Sequence, residues 1–95
     1  MSRSRVERRL RDVGDRLRAL RDDLRVTDEQ LLKLDDEADD ARLRALVSET
    51  PVAEKEHREA SRHAERLRSH RERIAAEIVK LEADQDALLD ELTAT

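Results

Sequence analysis

The chain has 95 residues, one small domain at most, with 20 Lys and Arg against 24 Asp and Glu for a net charge of -4. Charged residues are 46% of it, aromatics are 0%, and there is one Gly, one Pro and no Cys. These counts exclude a disulfide scaffold, a thiolate metal site, a thiol nucleophile and aromatic base-stacking platforms, and leave too little apolar chain to wall off a dry catalytic pocket.

High charge with few aromatics is the usual mark of disorder, but the spacing of the apolar residues points elsewhere. Val6, Leu10, Val13, Leu17, Leu20, Leu24, Thr27, Leu31, Leu34, Ala38, Ala41, Ala45 and Ser48 follow one another at intervals that alternate four and three. This is the 3.5-residue seam of a left-handed coiled coil. The spacing predicts a first helix over 4–48. Ser4 and Glu7 have capping-box spacing at its start. Gly14 costs this helix about 1 kcal/mol. Thr27 and Gln30 also have capping-box spacing, so a break near Val26, giving three helices, is the competing reading. The phase runs straight through Thr27, which favours the unbroken helix.

A turn follows at 49–50. Pro51 has no N–H and clashes with a preceding helical turn, so it belongs at the first position of a new helix, with Thr50 as N-cap. The second helix is expected over 51–93. Its seam is Ala53, His57, Ala60, Ala64, Leu67, Arg71, Ile74, Ile78, Leu81, Gln85, Leu88 and Leu92, again alternating four and three. Thr27, His57, Arg71 and Gln85 are its polar interruptions across the two helices, and are expected to set the register. The expected fold is all-α, an antiparallel two-helix coiled-coil hairpin that offers itself for dimerisation into a four-helix bundle.

Charge blocks select the pairing. Residues 1–25 carry nine Arg and five acids; 26–56 carry four bases and ten acids; 57–75 carry six Arg and three Glu; 76–95 carry Lys80 and six acids. Folded back at Thr50, plus lies beside minus throughout, whereas a parallel pair of identical chains sets like against like. Such exposed pairs select more than they stabilise. Residue numbers totalling about 98 place Val6 with Leu92, Leu17 with Leu81, Leu24 with Ile74, Leu31 with Leu67 and Thr27 with Arg71. A register totalling 105 keeps the seam but strands Val6.

The seam weakens toward the turn, where it becomes mostly alanine. Leu32, Leu43, Leu46, Val47 and Val52 fall off the seam near that end, and two helices alone do not cover them. They are the expected partner-binding residues, whether the partner is another protein or a second copy in a homodimer. Nine Arg in the first block offer an alternative, a regulator that binds nucleic acid or an anionic ligand. Interleaved acids and the facing acidic block make a salt-bridged surface the simpler account. His63 and His70 share a helical position without the i, i+4 spacing of a zinc site. His57, if buried, offers a pH response. The acidic run Asp35, Asp36, Glu37, Asp39 and Asp40 reads as a solvated face opposite the basic third block. No cofactor, metal site or catalytic constellation is expected.

Hairpin families with strong motifs fail at their defining positions. The turn reads Ser48-Glu49-Thr50-Pro51 where the WXG-type hairpins carry Trp and Gly. Glu65 and Ser69 open the spacing of anti-sigma hairpins that bind cyclic di-GMP, but Glu72 stands where that pattern has Arg. No apolar run approaches the ~20 residues of a membrane span, and no leader pattern opens the chain, so a cytoplasmic setting is expected. Seventeen Arg against three Lys suggests a GC-rich bacterial genome. The expected function is non-enzymatic protein–protein interaction, as adaptor, small regulator or assembly factor.

Overall fold

The computed structural model describes residues 2–94. They form two helices packed against each other, α1 (Arg3–Ser48) and α2 (Pro51–Ala94), an all-α helical hairpin. The break near Val26 does not form: α1 runs unbroken through Thr27, which is buried. The start of α1 differs from the capping-box expectation. Ser2, not Ser4, is the cap, its Oγ accepting from the Arg5 N–H at 3.4 Å. Ser4 lies inside the first turn, and Glu7 instead takes the Arg3 guanidinium at 3.1 Å. Ser2 sits three residues before Arg5, the spacing a cap requires, and an arginine four residues before a glutamate forms a helical ion pair.

The turn is closed by backbone chemistry. Glu49 has φ 52°, and its N–H donates to the Ala45 carbonyl at 3.0 Å. This is the left-handed helix stop, usually made by Gly or Asn, and a Glu there is strained by roughly 1 kcal/mol. Thr50 then caps α2: its Oγ1 accepts from the Ala53 N–H at 3.2 Å, and Pro51 occupies the first helical position.

Apart from Ser48, every seam position on both helices is buried or half-buried. The residues gather into two compact units, each drawing on both helices. The first joins the chain up to Leu24 with the chain from Arg73 on. Its core is Val6, Val13, Leu17, Leu20, Ile74, Ile78 and Leu88, with Leu10, Leu24, Leu81 and Leu92 packed against it. Arg16 meets Glu77 at 3.1 Å and Arg21 meets Glu82 at 3.6 Å, bases of the first charge block on acids of the fourth. Their numbers total 93 and 103, equally displaced on either side of 98. A register of 105 would put both on the same side.

The second unit is Arg25–Glu72. Its fully buried seam residues are Thr27, Ala41, Ala53 and Ala64, while Leu31, Leu34 and Leu67 are half-buried. Replacing leucine by alanine at a buried position forgoes about 2 kcal/mol of apolar burial. The second unit therefore draws much less from its interior than the first.

Two measurements check this account. Gly14 is half-buried, and a Cβ added there meets nothing within 4 Å. Gly14→Ala is expected to raise the unfolding free energy by about 1 kcal/mol, and Tm by about 4–8 °C, in a thermal melt. In native-state hydrogen exchange, amides at Ala41, Ala53 and Ala64 are expected to exchange about tenfold faster than those at Leu17, Leu20 and Ile74. Equal protection would mean that the alanine seam holds as firmly as the aliphatic one.

Candidate functional site

The expected partner-binding residues all lie in the second unit, and all are exposed: Leu32 70%, Leu43 53%, Leu46 64%, Val47 86% and Val52 68%. Leu43, Leu46 and Val47 stand at i, i+3 and i+4, which places them on one face of the last turns of α1. Leu32 lies eleven residues before Leu43, three turns away and in nearly the same direction. Val52 is on the first turn of α2, across the two-residue connection. Size is thus inverted toward the turn end of this unit. Leu43, Leu46, Val47 and Val52 face outward there over buried alanine, while Leu31, Leu34 and Leu67 stay half-buried on the seam farther from the turn.

Sequence reasoning missed two exposed aliphatics of the first unit, Val79 at 67% and Leu89 at 45%. Both are off the seam, so the four-three spacing that identified the others could have found them. They lie ten residues apart and point in different directions, and form no patch.

The polar seam residues fall into different environments. Thr27 is fully buried, while His57, Arg71 and Gln85 are half-buried. No buried side-chain nitrogen or oxygen among the described residues lacks a hydrogen-bond partner. The Arg71 guanidinium donates to the Asp28 carboxylate, the neighbour of Thr27. That hydrogen bond, then the Asp28 charge, raises the Arg71 pKa; burial opposes them and Glu72 adds to them. Arg68 donates to Asp35 at 2.8 Å and also to Glu65. Its pKa is raised by the bond to Asp35 first, then by the charges of Asp35 and Glu65. Both pairs join an acid of the second charge block to an arginine of the third. A long side chain lets Arg71 occupy a seam position with its stem and carry its charge to the edge.

No protein-family model, curated protein or solved structure matches this chain.

Two open grooves flank the seam. One, of about 310 Å³, is lined by Gln30, Lys33, Leu34, Glu37, His63 and Leu67 in the second unit. The other, in the first unit, runs beside Leu10, Gly14 and Gln85, with Arg11, Asp15 and Arg18 at its rim. Both are half polar and open to solvent. Among the described residues no group of three or more His, Cys, Asp or Glu is placed to hold a metal ion. None of their helices is long and apolar enough to cross a membrane. Several arginines of the first block are engaged: Arg16 and Arg21 across to α2, and Arg3, Arg18 and Arg25 to acids on their own helix.

The Arg71–Asp28 pair yields a direct check. Asp28→Arg is expected to lower Tm at low salt, because two guanidinium groups then meet at the seam edge. Adding Arg71→Asp should recover most of the loss, and 1 M NaCl should shrink both effects. Thermal melts of the two variants and the parent measure this; no recovery in the double variant would show that the pair does not form.

Proposed function

We propose that this chain is a non-enzymatic coiled-coil module for protein–protein interaction in the cytoplasm, an adaptor, small regulator or assembly factor. It meets its partner through the aliphatic face of α1 beside the turn. One observation carries this reading, the exposure of Leu32, Leu43, Leu46, Val47 and Val52 in the second unit, where the fully buried seam side chains are only alanine and threonine. Single exposed aliphatics are ordinary on a protein surface. Several on one face of a small and highly charged chain are not, and such clusters mark contact surfaces. A preformed helix also lowers the ordering cost of association, because its backbone is already in the bound conformation.

The arginine-based alternative receives less support. Arg16, Arg21, Arg68 and Arg71 reach acids on the opposite helix, so these four arginines are engaged within the fold rather than held out for an anionic ligand.

Leu46→Asp is the test. The variant is expected to lose self-association in sedimentation equilibrium, or partner capture in a pull-down, while far-UV circular dichroism stays helical. Loss of helicity would place Leu46 in the fold rather than at an interface. Association undiminished in a folded variant would remove the patch from the interaction.

A further inference from the structure

The patch beside the turn is too small to act alone. Covered completely, Leu43, Leu46, Val47 and Val52 supply roughly half of the ~800 Å² that a stable complex buries on each partner. An interface there must extend along α1, and the next large aliphatic on that face is Leu32. It lies about 16 Å from Leu43 along the helix and within about 20° of the same direction. Asp36 and Asp39 fall between them on the same line, four and seven residues after Leu32, with Asp40 beside. All three are exposed. The acids of α1 that face α2 are matched, Asp28 by Arg71 and Asp35 by Arg68. Asp36, Asp39 and Asp40 take part in none of the ion pairs of the described residues.

That charge decides between occupants. A second copy laid along this stretch through its own α1 brings three aspartates against three aspartates, which disfavours it. A second copy presenting the outer face of α2 brings Arg58, Arg62 and Arg66, but the exposed aliphatics on either side of them, Val52 and Val79, stand about 40 Å apart along the helix and do not match the spacing of Leu32 and Leu43. We propose that this face of α1 receives a basic amphipathic helix of another protein. That helix carries large aliphatics about eleven residues apart, seated on Leu32 and on Leu43 with Leu46, and Lys or Arg between them, facing Asp36, Asp39 and Asp40. This rests on the interaction reading above and names the class of partner. The aliphatic ends hold the helix, and the central charges exclude acidic and self-paired alternatives.

The probe is a fluorescent, stapled helical peptide with leucines about eleven residues apart and lysines between, read by fluorescence polarisation. A control peptide replaces the lysines by glutamate. The full chain is expected to bind the lysine peptide, not the control, and more weakly as salt rises. Combining Asp36→Lys, Asp39→Lys and Asp40→Lys should weaken binding by at least about tenfold, with helicity unchanged because all three positions are exposed. Failure of the parent to bind the lysine peptide overturns the proposal. So does binding that the triple substitution leaves unchanged; the patch itself still stands if Leu46→Asp abolishes that binding. Peptide binding that survives Leu46→Asp overturns the patch as well. A dimer in sedimentation equilibrium that Leu46→Asp dissolves would identify a second copy as the occupant, and also overturns the proposal.

Discussion

One constraint governs this molecule: a charged helix of more than forty residues must bury a stripe that recurs every 3.5 residues. Neither helix has the composition to stand alone in water, since most helical stability comes from packing an apolar face. The four-three spacing on α1 and α2 supplies two such stripes, and each covers the other. Where the stripe carries leucine, isoleucine and valine, as in the unit that holds Leu17 and Ile78, a contiguous core results. Where it carries alanine, the helices still pair, but with little area removed from water.

Charge acts on this framework as a selector. The pairs Arg16–Glu77, Arg21–Glu82, Arg68–Asp35 and Arg71–Asp28 join opposite blocks across the two helices. All are at the solvent edge, where each contributes little to stability. Their collective effect is to favour the antiparallel pairing, since a parallel pairing sets like charges together. Arg71 shows how a charge is tolerated on a seam. Its stem covers apolar surface and its guanidinium ends on Asp28, where hydrogen bond and charge together favour the protonated form.

The same division of labour extends to the outer face of the second unit. Affinity there would come from aliphatic side chains, as it does in the interior of the other unit. Discrimination would come from Asp36, Asp39 and Asp40, which take part in none of the ion pairs of the described residues. A surface built this way is selective because a wrong partner leaves charges facing their like, and desolvating them has no compensation.

Much of this was legible in the residues themselves, because the relevant physics is local or periodic. Pro51 after Thr50 marks a helix start through backbone chemistry alone. The alternation of four and three defines the buried stripe, and the charge blocks match in an antiparallel pairing and clash in a parallel one. The off-seam aliphatics near the turn follow from the same spacing. Other features depended on choices the linear pattern does not resolve. Ser2 and Ser4 are both competent caps, and only the path of the first turn selects Ser2. Glu49 adopts a left-handed conformation because the turn needs a helix stop there and no Gly is available, a demand of the connection rather than of the residue. The Arg71 guanidinium ends on Asp28, the neighbour of Thr27, because a long flexible side chain reaches past the opposite seam position to a carboxylate at the edge. Periodicity determines which face of each helix is buried; which side chain meets which across that face is decided only when the two helices are in place, because reach, rotamer and competing charges are properties of the assembled pair.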